Sequence, residues 1–218
     1  MIVPASFPPS RVAPPLSHDD PRGWRGRQGE SYAERNPDTV EKLNASYMTR
    51  FGVSRTDLAL HQLADVPRSA RVLEIGCSHG VQLEVLRRLG FTNLFGVDLN
   101  RPAVEKCRSP CAVADGIALP FRDDAFDLVL TSGTLMHVPP EERAAFCRET
   151  SRVCTRWVWG FELWAPELVI WTFNGLIPKA WSLPEPESYG RIGRWILHHE
   201  RRFESDKMNY SMYLLEKA

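Results

Sequence analysis

From residue 71 onward the chain alternates short apolar runs with amphipathic stretches, the pattern of strands and helices in turn. Val72-Leu73-Glu74-Ile75 reads as a buried strand spanning 71–75, followed by the glycine-rich turn Gly76-Cys77-Ser78-His79-Gly80. Val81, Leu83, Val85, Leu86 and Leu89 then supply the apolar faces of a helix from Gly80 to Leu89, with Gly90 as its C-cap. The alternation continues with a strand over 93–97 ending at Asp98, a helix over 101–107 with Pro102 at its first position, and a strand over 111–114 ending at Asp115. A loop over 116–125 leads to a strand over 126–131 and a helix over 140–152, whose first turn carries Glu141 and Glu142. A fifth strand is expected over 156–162, with Trp157, Trp159 and Phe161 alternating on one core face. An irregular insertion follows, and six of the seven tryptophans lie between 157 and 195. Two closing strands, over 194–203 and 208–216, are joined by the polar turn Glu204-Ser205-Asp206-Lys207.

Upstream the pattern changes. Asp38 reads as an N-cap, with Glu41 three residues on completing a capping box for a helix that runs to Phe51. A second helix over 55–64 starts at Ser54 or Thr56 and is ended by Pro67. Residues 1–22 are rich in proline and read as an extended arm. The segment from Trp24 to Asn36 reads either as a lid over a ligand or as an ordinary capping segment. The alternation predicts an α/β fold, with a mostly parallel sheet under an N-terminal helical cover. Residues 23–218 form its single domain, with a cap over 23–66 and an insertion over 163–193.

Composition narrows the function classes. The chain has 218 residues and a formal net charge of zero, which offers no electrostatic reason to expect DNA, RNA or an acidic membrane as partner. No apolar run is long enough to span a membrane. The first 20 residues lack the basic start and apolar core of a signal peptide. The five cysteines are odd in number and lack a framework spacing, so they are expected to be reduced and structural in a cytoplasm. Cys107 and Cys111 make a C-x₃-C pair with no second His/Cys pair nearby, so no metal is expected.

Three acids mark the carboxyl ends of successive strands: Glu74 near the first, Asp98 after the second and Asp115 after the third. Ligands of open parallel sheets bind at those ends. Glycines in the turn allow close backbone approach, and amides at the helix start favour an anionic group. Asp98 stands at the spacing from the turn at which a carboxylate takes both ribose hydroxyls. Strand, turn, helix, strand and acid in this register indicate a nucleoside-containing cofactor.

The turn Glu74-x-Gly76-x-Ser78-x-Gly80 resembles motif I of class I S-adenosylmethionine-dependent methyltransferases, with Ser78 in place of the usual middle glycine. Phe95-Gly96-Val97-Asp98-Leu99-Asn100 resembles their ribose motif, and Asp115-Gly116 through Val129 their adenine loop and fourth strand. Thr131 through Val138 resembles the segment that follows. A narrower resemblance runs through Trp24-x-Gly26-x-x-Gly29-x-x-Tyr32-x-x-Arg35-Asn36, His137-Val138 and the ending Leu214-Leu215-Glu216-Lys217: these are similar to bacterial methylases associated with pseudaminic acid biosynthesis. No counterpart of that group's Tyr-Arg-Gly tract follows Glu162.

The resemblance implies the architecture, a three-layer sandwich around a seven-stranded, mostly parallel, Rossmann-like sheet of order 3-2-1-4-5-7-6, and it implies roles. Glu74 and the turn amides of Gly76, Cys77 and Ser78 would address the methionine amine and carboxylate, with Gly80 opening the helix. Asp98 would hold the ribose. Leu99 and Ala114 would flank the adenine, with Asp115 accepting from its amine and Gly116 beside it. Thr131, Ser132 and Gly133 would line the floor, and Tyr32 and Arg35 would close the methionine end. If a general base is used, His137 and Glu162 are the candidates; each is otherwise a packed histidine or a satisfied carboxylate. His79 is expected to face solvent, and His198 and His199 to lie on a strand away from the cofactor. The tryptophan-rich insertion follows strand 5, where this architecture builds its acceptor pocket; a hydrophobic cluster or dimer contact is the other reading.

The expected activity is therefore methyl transfer from S-adenosylmethionine to a small-molecule acceptor, a sugar or secondary metabolite, by a monomer or homodimer without nucleic-acid partner. Two alternatives stand beside it. A catalytically idle protein would bind the cofactor without turnover. A nicotinamide-dependent oxidoreductase would need G-x-G-x-x-G, which Gly76, Ser78 and Val81 do not supply.

Overall fold

The computed structural model describes residues 23–167, 169–173, 176–182, 187–204 and 208–218. The side chains of Arg27, Gln28 and Tyr32, and those over 170–187, are outside that description. So are the predicted proline-rich arm over 1–22 and most of the turn over 204–207.

The elements run α1 (Arg27–Arg35), α2 (Val40–Phe51), α3 (Arg55–Gln62), β1 (Arg71–Ile75), α4 (Val81–Arg88), β2 (Asn93–Asp98), α5 (Arg101–Glu105), β3 (Cys111–Val113), β4 (Phe126–Ser132), a 3-10 turn (Leu135–His137), α6 (Pro140–Val153), β5 (Cys154–Leu163), β6 (Val169–Phe173), β7 (Leu176–Ser182), α7 (Glu187–Gly190), β8 (Trp195–Phe203) and β9 (Tyr210–Lys217). Seven strands form one sheet in the order β3-β2-β1-β4-β5-β9-β8. The first five are parallel, and β9 is antiparallel to both β5 and β8. This is the predicted order, the closing hairpin being β8 and β9. Among the described residues no helix is long and apolar enough to cross a membrane.

Strand alternation divides the core into two layers. Val72, Leu128, Leu130, Trp157, Trp159, Phe161 and Leu214 face α2, α3 and α4. Leu73, Ile75, Val129, Val158, Tyr213 and Leu215 face α6 and α7. Since a one-residue slip would exchange these faces, burial on both sides fixes the register. At the outer edge, β8 is exposed over most of its length and carries His198, His199, Glu200, Arg201 and Arg202, charges that discourage further strand pairing.

Three local expectations need correction. The N-cap of α2 is Thr39, whose hydroxyl accepts from the Lys42 amide at 3.2 Å; Asp38 instead pairs with Lys42 at 2.7 Å. The segment after Trp24 is a helix, α1, whose short glycine-containing sequence hides its period. The insertion after β5 is not irregular throughout, because β6 and β7 pair as an antiparallel hairpin.

Candidate active site

The site sits at the carboxyl ends of β1, β2 and β4. Gly76, Ser78 and Gly80 all take positive φ (77°, 47° and 75°), so the turn folds back sharply between β1 and α4. A side chain at Gly76 would overlap Thr134, whose Oγ1 lies 2.2 Å from where its Cβ would stand. Ser78 holds a conformation that L-residues seldom adopt, and its amide is anchored by Asp98 Oδ2 at 2.8 Å. Asp98 also accepts from the Asn100 amide at 2.8 Å, while Asn100 caps α5.

These bonds correct one expectation. The Gly76 and Cys77 amides both donate to the Val97 carbonyl, at 2.8 and 3.0 Å. With Ser78 committed to Asp98, the turn's own amides hold the turn together.

A cavity of about 290 Å³ opens above the turn. Glu74, Gly76, Cys77, Ser78, Asp98, Leu99, Ala114, Asp115, Gly116, Ser132, Gly133 and His137 all line it. Glu74 is only 2% exposed, and its Oε2 has no hydrogen-bond partner among the described residues. Burial raises its pKa well above the ordinary carboxylate value, and the nearby Cys107 adds to the rise while Arg55 opposes it. Burial likewise raises Asp98, against the amides of Asn100 and Ser78 that bond to it. A buried carboxylate oxygen without a donor, on a cavity wall, fits a ligand that brings its own ammonium group.

Gly80 caps α4 just outside the cavity, and Thr131 is fully buried beneath it. Arg35 is exposed, and its Nε donates to the Ser31 carbonyl of its own helix at 3.0 Å, so it is not brought to the cavity. For Tyr32 the backbone places the residue on α1, and its side chain is outside the described residues. His79, expected at solvent, is half-buried and lines the cavity. His198 and His199 are exposed on β8.

The two candidate bases differ. His137, on the 3-10 turn, is 6% exposed, and the Trp24 ring lies 4.6 Å from its ring. Glu162 is 1% exposed and accepts from the Thr134 amide at 3.2 Å and the Met136 amide at 3.0 Å. Burial raises its pKa, and these amides and the Thr131 hydroxyl pull it back. Its oxygens hold the loop that carries His137.

Several contacts at the site were not legible in the sequence. Arg25 reaches Asp115 at 3.2 Å, and the Trp24 carbonyl accepts from Asn100 Nδ2 at 3.0 Å, so this segment lies across the adenine end of the predicted site. At the other end stands an aromatic wall. Phe161 stacks on Tyr210 at 5.1 Å and meets Tyr47 at 5.2 Å, and Arg50 donates to the Tyr210 hydroxyl at 2.7 Å. These residues sit on α2, β5 and β9, and of them only Phe161 was read from sequence, as a core position. Beneath them the fully buried Arg55 lies 4.0 Å from the Trp159 ring and donates to Gln82 at 2.7 Å; Gln82 in turn donates to Ser132 at 3.3 Å.

Residues 73–156 match the family described as "Methyltransferase domain". The chain is 29% identical over 133 residues to the tRNA (carboxymethyluridine(34)-5-O)-methyltransferase alkbh8 of Xenopus tropicalis, covering 52% of this chain and 21% of that protein. It is 28% identical over 105 residues to the methyltransferase GfsG of Streptomyces halstedii, covering 43% and 37%. The chain thus spans well under half the length of these relatives. Among solved structures, the magnesium protoporphyrin IX methyltransferase of Synechocystis PCC 6803 with bound SAH superposes with a TM-score of 0.67 at 17% identity, covering 90% of this chain and 97% of that one. The PH0226 protein of Pyrococcus horikoshii OT3 superposes with a TM-score of 0.64 at 16% identity, covering 86% and 99%.

Proposed function

We propose that the chain is a class I S-adenosylmethionine-dependent methyltransferase that transfers the methyl group of that cofactor to a small-molecule acceptor, a sugar or secondary metabolite. The observation that carries the assignment of the site is Glu74: a buried carboxylate with an unpartnered oxygen on the cavity wall, which an amino-acid ammonium would satisfy.

When bound, the cofactor supplies an electrophilic methyl group on a cationic sulfur. Glu74 would hold the ammonium of its methionine part and Asp98 its ribose. Leu99, Ala114, Asp115 and Gly116 would surround the adenine, and Ser132 and Gly133 would form the floor. Trp24 and Arg25 lie across this end and would exclude water from it. The protein's main task is to orient the acceptor for in-line attack. His137 is the candidate base where the acceptor must lose a proton. Glu162 is assigned a positioning role, since it binds the amides of the segment that carries His137.

The acceptor end supports a small ligand. Phe161 and Tyr210 offer an apolar face and Arg50 a positive charge beside it, which suit a ring that bears an acidic group. The resemblance to the pseudaminic acid-associated methylases favours a sugar. A reducing compartment such as the cytoplasm suits the five free cysteines. A tRNA acceptor is the second reading, favoured by the Xenopus relative.

The test begins with the thermal midpoint in saturating S-adenosylmethionine, S-adenosylhomocysteine and NAD. A ligand at 100 times its dissociation constant adds about 2.7 kcal/mol, a rise of about 5–10 °C for a domain this size. The two sulfur ligands should produce it and NAD should not; Asp98→Ala should abolish it. Labelled methyl transfer to acidic sugars rather than to tRNA is then expected. Transfer to tRNA alone would replace the acceptor reading, and binding without turnover on either would favour the idle protein.

A further inference from the structure

Three of the five cysteines converge behind the cofactor turn, although 34 residues separate the first from the last. Cys77 lies in the turn, Cys107 just past α5, and Cys111 opens β3. Their sulfurs all lie within 4.8 Å of one another, and Cys77 Sγ is 3.8 Å from Cys111 Sγ. Two sulfurs each about 2.3 Å from a tetrahedral ion are about 3.8 Å apart, so the spacing is that of a shared ion. We propose that Cys77, Cys107 and Cys111 form a three-thiolate site for a thiophilic d10 cation, Zn²⁺ or Cu⁺, that clips the cofactor turn to the β2–β3 edge of the sheet.

The surroundings support a built site. Gly96 pairs with Cys111 across β2 and β3. A Cβ at Gly96 would stand 2.7 Å from Cys77 Sγ and 2.8 Å from Cys111 Sγ, so the missing side chain makes room for the sulfurs. Cys77 is buried while Cys107 and Cys111 are half-exposed, which leaves the cluster a way in from solvent. The positive charge of Arg87 acts on Cys107, and Arg87 is held nearby by the Ser109 hydroxyl at 2.6 Å. That charge would offset the net negative charge of a divalent ion with three thiolates. Binding an ion converts the thiols to thiolates and releases their protons; no electron transfer is involved. Three protein ligands leave a fourth position of a tetrahedral ion to water. Soft sulfur donors without carboxylate or imidazole ligands select Zn²⁺ or Cu⁺ over harder cations.

The full chain, reduced and stripped with a chelator, should be titrated separately with Zn²⁺ and with Cu⁺ under a competing chelator, and with Co²⁺ as a spectroscopic probe. One equivalent of Zn²⁺, Cu⁺ or both should bind, and Co²⁺ should give a thiolate charge-transfer band. The thermal midpoint should rise by about 5–10 °C at 100 times the dissociation constant. Cys107→Ser and Cys111→Ser should each lose the band and the rise, and Cys147→Ala should keep both. Retained S-adenosylhomocysteine binding by the serine variants would show that they fold. Binding of neither ion, binding unchanged in both serine variants, or a disulfide within the trio in reduced protein would overturn the site.

Discussion

Glu74→Gln should move stability and cofactor affinity in opposite directions. The carboxylate is buried, with one oxygen unpartnered, and its pKa is raised well above 4.5, chiefly by burial. The folded state therefore holds this proton to higher pH than the unfolded state does. The stabilising contribution is fully present below the unfolded pKa and is lost as pH rises through the folded one. One extra proton bound in the folded state is a slope of about 1.4 kcal/mol per pH unit. Glutamine keeps the shape and does not titrate. The midpoint of the variant relative to the wild type should thus climb by about 3–5 °C per pH unit above about pH 5, levelling off past the folded pKa. The same change removes the charged partner proposed for the ligand's ammonium, worth about 1.5–3 kcal/mol, so S-adenosylhomocysteine should bind about 10- to 150-fold more weakly. Scanning calorimetry across pH without ligand, and titration calorimetry with it, measure the two effects. A difference in midpoint that is flat with pH would refute the burial argument, and unchanged affinity would refute the assignment of Glu74 to the ammonium.

Two further substitutions probe the scaffold around the site. Glu162→Ala strands the amides of Thr134 and Met136, at about 1–3 kcal/mol per orphaned group. The midpoint should fall by about 5–15 °C while the residual activity keeps its pH profile; a variant that stays stable but loses one limb of that profile would make Glu162 the base instead. Gly160→Ala would set a methyl group 2.1 Å from Cζ of the fully buried Tyr213, its cross-strand partner on β9. Overpacking of this kind costs about 1–3 kcal/mol, and a midpoint within error of the wild type would show that the ring has room to move.

The sheet was legible because its signals are local. β1, β2 and β4 stand within a residue of where apolar runs and terminal acids placed them. The closing hairpin followed from two runs joined by a polar turn. Where cues were weak, placement failed: Thr39 took the cap expected of Asp38, and α1 and the β6–β7 hairpin went unseen as elements. The site divides the same way. Glu74, Asp98, Asp115 and Gly133 reach the cavity because strand ends and their turns carry them there. Arg35 does not, because the helix that carries it turns it to solvent, where it bonds to its own backbone.

By itself, then, the sequence determined the strand ladder and the acids along its carboxyl edge, since period and turn chemistry act between near neighbours in the chain; the order of the sheet came with the resemblance. Only the tertiary structure decided which distant side chains share a wall. Arg25 meets Asp115 across 90 residues, Arg50 meets Tyr210 across 160, and Cys77 meets Cys111 across 34. It also decided that the turn amides are spent on Val97 and Asp98, and that Glu162 serves backbone amides. Such pairings depend on how helices of particular length and face pack onto the sheet, and no local period records that.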